Sequence, residues 1–134
     1  MDFDLAEACI GTSTFRDATF SGDAIFRETT FTGAADFQKA TLADTASCKE
    51  AAFTGLAGFS LATFRNRVIF EAATCIDPAF DAATFDNGVN FIAARFTRYA
   101  VFTGATFTKA ACFGVTVFKD TAQFDKPPTS WSDG

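Results

Sequence analysis

Large apolar residues recur along this chain at intervals that alternate between five and six residues. The series runs from Phe15 to Phe124, and only the stretch from Phe70 to Phe85 keeps a constant interval of five. This spacing fits neither the 3.6-residue period of an amphipathic helix nor a sustained alternation of two. A recurring residue at a recurring interval instead indicates a repeat architecture.

The members of this series are predicted to form the ladder of a buried core. Most are phenylalanines, Leu42, Cys48 and Cys75 fill three further places, and before Phe15 the series fades into Leu5 and Ile10. The aromatic members are Phe15, Phe20, Phe26, Phe31, Phe37, Phe53, Phe59, Phe64, Phe70, Phe80, Phe85, Phe91, Phe96, Phe102, Phe107, Phe113, Phe118 and Phe124.

A small residue stands two places before most members of the ladder. Alanine is the usual choice, as in Ala18 before Phe20, and the exceptions are mostly small or β-branched. Residues two apart point to the same side of an extended segment. Each unit therefore predicts a short strand whose small and large residues both face the core, followed by a turn.

The repeated unit resembles that of the pentapeptide-repeat family, whose consensus is a small residue, Asp or Asn, Leu or Phe, and two variable residues. Clear units are Ala-Thr-Phe-Ser-Gly (18–22), Ala-Asp-Phe-Gln-Lys (35–39), Ala-Thr-Phe-Arg-Asn (62–66) and Ala-Thr-Phe-Thr-Lys (105–109). Threonine usually replaces Asp or Asn, and the regular sixth residue is typical of a phenylalanine-rich branch. The resemblance spans roughly residues 8–124 and implies an all-β fold, a right-handed quadrilateral β-helix.

Four units of alternating length give a square coil of about 22 residues with two opposite corners widened, so we expect about five coils. Residues 1–125 are assigned to this β-helix, with a weak repeat before residue 13, and residues 126–134 to a C-terminal tail or cap. Between Cys75 and Phe80 one corner residue is missing and Pro78 takes the small inward place, which predicts a tightened corner. Two fates remain open for the tail: Trp131 caps the core, or the tail is disordered.

Composition argues against catalysis and against direct binding of nucleic acids. The chain has no His, and its four cysteines lack CxxC spacing, so the usual general base and zinc ligands are missing. No catalytic, cofactor-binding or metal-binding residue is predicted, and the chain is not expected to be an enzyme. A formal net charge of −5 also disfavours contact with phosphate backbones.

No segment is apolar for long enough to predict a membrane span or a membrane partner. The opening Met-Asp-Phe-Asp lacks the basic and apolar regions of a secretory signal. If the chain is complete, we expect a cytoplasmic location.

Two columns of outward residues stand out among the predicted faces. Ile25, Ile69, Ile92 and Val115, with Cys112, are assigned to the outside of the third face as a possible interface, although scattered exposed apolar residues are also common. Thr19, Thr41, Thr63, Thr84 and Thr106 are predicted to form a ladder on the second face. One threonine column is typical of an ordinary β surface rather than of an ice-binding plane.

Two functions follow from these observations. The first is a structural or protein–protein interaction module on a rigid rod, whose partner is unknown or is a second copy bound through the coil ends or an apolar face. The alternative, implied by resemblance to gyrase-protecting members of the family, is a DNA mimic that binds a type II topoisomerase. This alternative requires one continuous acidic face, to which Asp36, Asp77, Asp81, Asp86, Asp120 and Asp125 would contribute.

Overall fold

The computed structural model describes residues 2–124 and the backbone of Trp131–Ser132. Within this part of the chain all regular structure is β-strand, and the strands pair in parallel from coil to coil. Thr41 pairs with Thr63, 22 residues further on, as a coil of that length requires. The predicted four-sided β-helix is therefore confirmed, with about six turns rather than five.

The strands are stacked on four faces, numbered here from the column that begins at Phe15. The first face holds β3 (Ser13–Thr14), β7 (Ala35–Asp36), β17 (Ala100–Val101) and β21 (Ala122–Gln123). The second holds β4 (Thr19–Phe20), β8 (Thr41–Leu42), β11 (Thr63–Phe64), β14 (Thr84–Phe85) and β18 (Thr106–Phe107). The third holds β1 (Phe3–Asp4), β5 (Ala24–Ile25), β9 (Ala46–Ser47), β12 (Val68–Ile69), β15 (Val89–Asn90), β19 (Ala111–Cys112) and β22 (Trp131–Ser132). The fourth holds β2 (Cys9–Ile10), β6 (Thr30–Phe31), β16 (Arg95–Phe96) and β20 (Val117–Phe118), while β10 (Ala52–Gly58) and β13 (Thr74–Ala79) each bend from the fourth face onto the first.

The core consists of stacked phenylalanine rings. On the first face Phe59 lies between Phe37 and Phe80, with ring centroids 5.0 Å apart and interplanar angles of 7° on both sides. Rings of different faces often meet edge to face, as Phe59 on the first face and Phe70 on the opposite third face do at 5.5 Å and 87°. Both arrangements are favourable for aromatic pairs, so one residue type serves every side of the coil.

The predicted ladder residues all lie in or against this core. Those in the middle coils are fully buried, and the half-buried members stand at the two ends of the rod. The half-buried members are Phe15, Phe107, Phe118 and Phe124.

The corner predicted to be tightened is a local shift of register. Phe53 pairs with Cys75 and Leu56 with Asp77, so two residues of β10 face the single residue Ile76 of β13. Pro78 is buried in the small inward place opposite Ala57. The coils on either side continue in parallel, so the missing residue tightens the corner without breaking the solenoid.

The narrow corners, in which only two residues separate a large inward residue from the next small inward residue, are β-turns of the type II form. Ala18 N–H donates to the Phe15 carbonyl at 3.0 Å, and the residue between them, Asp17, has a φ of 62°. A type II turn requires a positive φ at this third position, which normally favours glycine. Across the described residues, however, ten residues other than glycine have a positive φ, and all occupy this position of a narrow corner.

Both ends of the third face carry an extra rung. Phe3 pairs with Ala24 and stands in the small inward place, where its ring contacts Phe15, Phe20 and Phe26 with centroids 5.4–5.9 Å away. At the other end the backbone of Trp131 pairs with Ala111. The predicted cap formed by the Trp131 side chain lies outside the described residues.

Candidate protein-binding surface

The four residues predicted as an interface on the third face do not form one column. Ile25 and Ile69 are half-buried outward residues, and Ser47 and Asn90 interrupt their column. Ile92 and Val115 lie instead in the narrow corner between the third and fourth faces, one and two residues after the buried Phe91 and Phe113. The turn takes these residues out of the strand column, so the third face offers no continuous apolar stripe.

The most apolar exposed surface lies on the first face. Its outward column runs through Gly58, Ala79 and Val101, which pair in sequence from coil to coil and carry no polar side chain. Two large exposed residues, Leu56 (62% exposed) and Tyr99 (50%), border the column at the corner with the fourth face. We call the surface formed by these five residues and by Leu61 the first-face patch.

Leu61 borders the same column at the opposite corner. It is 48% exposed and has a φ of 60°, so the type II turn holds its side chain outside the core. Gly104 occupies the same place two coils later, with a φ of 74°. The patch therefore has large apolar residues along its borders, with Asp77 between Leu56 and Tyr99, around a low centre of small residues.

The polar side chains around the patch are paired with one another. Arg98 and Asp77 form an ion pair at 3.4 Å, and the Ser60 hydroxyl donates to Asp81 at 2.6 Å. Closer to the N-terminus, Arg16 Nε donates to Asp36 at 3.0 Å. These contacts place charge at the edges of the patch and leave its centre apolar, which is the anatomy of a protein interface.

A shallow depression adjoins Leu56 on this face. It has a volume of about 240 Å³ and is lined by Arg16, Ala34, Ala35, Asp36, Leu56 and Gly58. Its floor consists mainly of small side chains, so a bulky side chain of a partner could enter it.

Sequence reasoning missed the first-face patch because its outward column is made of small residues. A search for large apolar residues in outward strand positions passes over Gly58 and Ala79. Leu56, Leu61 and Tyr99 stand in corners, where the repeat unit places no defined residue type. One feature of the sequence could have indicated the patch. Leu56 and Tyr99 are large apolar residues that occupy the same corner two coils apart.

Carboxylates do not form a continuous acidic face on the described part of the rod. The outward columns of the four faces contain only two of them, Asp4 on the third face and Asp36 on the first. The others stand in corners, where cations often adjoin them, as Arg27 adjoins Glu28. Of the acidic residues singled out from the sequence, Asp125 lies outside the described residues.

The predicted threonine ladder is confirmed on the second face. Thr19, Thr41, Thr63, Thr84 and Thr106 pair rung by rung in one outward column. It is the only column among the described residues with the same side chain on every rung, and it forms an uncharged β surface.

The four cysteines divide into two buried and two more accessible thiols. Burial raises the pKa of the Cys48 thiol to about 12. Burial also raises the pKa of Cys75, and the nearby Cys48 adds a smaller effect in the same direction. Cys9 is exposed and Cys112 is half-buried.

Over residues 2–124, the structure brings no three His, Cys, Asp or Glu residues together in a group that could hold a metal ion. The same part of the chain contains no helix that could cross a membrane.

Comparison with known proteins gives one match. A family model described as pentapeptide repeats in nine copies matches residues 9–52. Neither the curated proteins nor the solved structures contain a match to the chain. The matched residues make the first two coils, and the same strand, turn and ring geometry continues to Phe124. Over residues 9–52 the chain is therefore similar to the pentapeptide-repeat family.

Proposed function

We propose that this protein is a non-enzymatic structural or protein-interaction module that binds through its first-face patch. Pentapeptide-repeat solenoids are generally not enzymes, and the fold supports a structural or interaction role. The observation that carries the proposal is the exposure of Leu56, Leu61 and Tyr99 around a flat column of small residues. Monomeric proteins seldom expose contiguous apolar surface of this kind without a binding role.

The alternative, a DNA mimic that protects a type II topoisomerase, receives less support. It requires a continuous acidic face, and the outward columns of the described rod hold two carboxylates on two different faces. A supercoiling assay with DNA gyrase tests this alternative directly. We expect the protein neither to inhibit the enzyme nor to protect it, and an effect in either direction would favour the alternative.

The proposal is tested by capturing partners with three forms of the protein. The wild type, a patch variant (Leu56→Ser with Tyr99→Ser) and a matched control on the third face (Ile25→Ser with Ile69→Ser) are immobilised and exposed to extract from the native cells. We expect the wild type and the control to retain the same protein, whether a different chain or added labelled copies of this one. The patch variant should lose it.

Two results would contradict the proposal. One is that no form retains any protein, labelled copies included. The other is that the patch variant retains the same set as the wild type. Circular dichroism of the three forms checks that each keeps the strand structure.

A further inference from the structure

We propose that the occupant of the first-face patch is a second copy of this chain, packed face to face with the two rods antiparallel. The inference rests on the proposed function and names the partner. The two copies would be related by a two-fold axis that passes through the coil containing Ala79. In a two-fold interface both partners use the same patch. Each projecting side chain must therefore meet a small residue that lies at the same distance on the opposite side of the axis.

The outward column of the first face meets this condition. Gly58 lies one coil before Ala79 and Val101 one coil after it, in unbroken register. Rotation about the axis sets Gly58 against Val101 of the second copy, and Ala79 against Ala79. The smallest side chain thus faces the largest, and the centre pairs two methyl groups, which lets the two sheets approach closely.

The corners beside the column match in the same way. Antiparallel packing keeps each corner opposite the same corner of the second copy, so Leu56 faces Tyr99 and Leu61 faces Gly104. The depression of about 240 Å³ adjoins Leu56, where the ring of Tyr99 from the second copy would lie. On the other border Leu61 projects over a residue that has no side chain.

The size of the face suits a stable dimer. The protein has an accessible surface of 6361 Å², and each of the four long faces accounts for less than a quarter of it. Stable specific interfaces bury about 800 Å² per partner. Two copies related by this axis overlap over the five rungs from Asp36 to Gln123, so the contact covers most of the first face.

Two carboxylates lie near the axis, where Asp77 and Asp81 would each face the same residue of the second copy. Arg98 offsets the charge of Asp77 at 3.4 Å, and Asp81 accepts from the Ser60 hydroxyl. Two coils from the axis, Asp36, which is paired with Arg16, would face the neutral Gln123 of the second copy. The N-terminal coil end suits self-association less well, because Phe3 already covers part of the aromatic core there.

Sedimentation equilibrium over a concentration series provides the first test. We expect the wild type and the third-face control to dimerise, and Leu56→Ser with Tyr99→Ser to weaken dimerisation by about tenfold or more, since truncating central interface residues has effects of this order. A wild type that stays monomeric overturns the inference. So does a dimer that the patch variant leaves unchanged.

Cross-linking tests the position of the axis and separates this interface from any other. In a background of Cys9→Ser and Cys112→Ser, Ala79→Cys should give a covalent dimer with a short bismaleimide, because a residue on a two-fold axis meets its own copy. Gly58→Cys mixed with Val101→Cys should give heterodimers, whereas Thr84→Cys on the second face should give none. Failure of Ala79→Cys to cross-link while Thr84→Cys succeeds would overturn the inference.

The inference and the proposed function can fail separately. A monomeric wild type that still retains a different protein through Leu56 and Tyr99 would contradict the inference alone. A monomer that retains nothing would contradict both.

Discussion

At the scale of single residues, the narrow corners hold an unusually large number of non-glycine residues in the left-handed backbone conformation. Left-handed backbone costs roughly 1–2 kcal/mol for a residue with a side chain, and ten described residues other than glycine adopt it. They include Glu, Lys, Leu, Ala and Val, so no single side chain accounts for the pattern. The turn is imposed by the coils on either side, and the residue at its third position must accept it.

Replacement of Val115 by glycine should stabilise the protein. Val115 has a φ of 46° and is 78% exposed, so a β-branched side chain is strained there and loses little packing when removed. We expect a gain of up to about 1 kcal/mol in the free energy of unfolding, because the greater freedom of unfolded glycine offsets part of the relieved strain. Urea denaturation measures it.

Val117→Gly is the matched control, since Val117 lies two residues away in β20 and has no positive φ. This change should lower stability. Equal losses for the two variants would show that the left-handed corner carries no strain.

The two buried thiols should make stability depend on pH in alkaline solution. An unfolded cysteine loses its proton near the ordinary value of 9.0, whereas burial holds the pKa of Cys48 at about 12 and raises that of Cys75 as well. The unfolded state therefore gains stability first as the pH rises. The native state should keep its full advantage below pH 9.0 and lose up to about 1.4 kcal/mol per pH unit for each thiol above it.

Urea denaturation between pH 9.0 and about 12, with a reductant present, checks this expectation. A variant with Cys48→Ala and Cys75→Ala leaves small cavities but cannot ionise at these sites, so its stability should change less steeply with pH. The same slope in both proteins would assign the effect to other groups.

At the scale of elements, two glycines at the corner between the fourth and first faces pack directly against the coil before them. A Cβ atom on Gly55 would lie 2.7 Å from the carbonyl carbon of Gly33, and one on Gly33 would lie 2.9 Å from the backbone nitrogen of Thr12. Backbone therefore packs on backbone through successive coils, and glycine is required for lack of space.

Gly55→Ala should destabilise the rod by about 1–3 kcal/mol, the usual cost of overpacking. The obstructing atoms belong to the main chain of Gly33 and Ala34, which cannot move without disturbing the ladder. The free energy of unfolding in urea gives the magnitude.

Gly88→Ala provides the comparison, because its Cβ would meet only the Ala110 carbonyl oxygen at 3.7 Å, an ordinary contact. We expect it to be neutral or slightly stabilising. If Gly55→Ala lowered stability no more than Gly88→Ala does, the two coils could not lie as close together at Gly55 as described.

The sequence was sufficient to predict these elements but not the surface they present. Inward places are occupied by a repeated pattern, so each buried ring could be assigned a face and a coil from its spacing alone, and even the irregularity at Pro78 could be located. Outward places obey no such rule. Ile92 and Val115 were assigned to a face because counting from Phe91 and Phe113 does not reveal that a turn has already begun. The first-face patch combines corner and strand residues from three coils, which come together only in the folded chain.

At the scale of the whole molecule, each coil is held only by the coils above and below it. Stability in such solenoids is a sum of contributions from neighbouring repeats, and the rings at both ends of the rod are only half-buried. Opening should therefore begin at the ends and move inwards.

Amide hydrogen exchange should show this order. We expect the slowest exchange in β11 and β14, and faster exchange towards β2 and β20, because an end coil loses contacts on one side only. Uniform protection along the rod would instead indicate that the solenoid opens in a single step.

In a four-sided coil, the number of residues between two positions also determines whether they face the same side of the rod. Because a face recurs only after 21 or 22 residues, as Thr63 recurs at Thr84 and Thr41 at Thr63, removal of one full coil would shorten the rod by about 4.8 Å and leave every later face pointing as before. Removal of a single five-residue unit would instead rotate everything downstream by a quarter turn. Insertion or deletion of a single repeat unit before Tyr99 and Val101 would therefore change the side of the rod on which these residues are exposed. The phenylalanine core beneath them would stay the same.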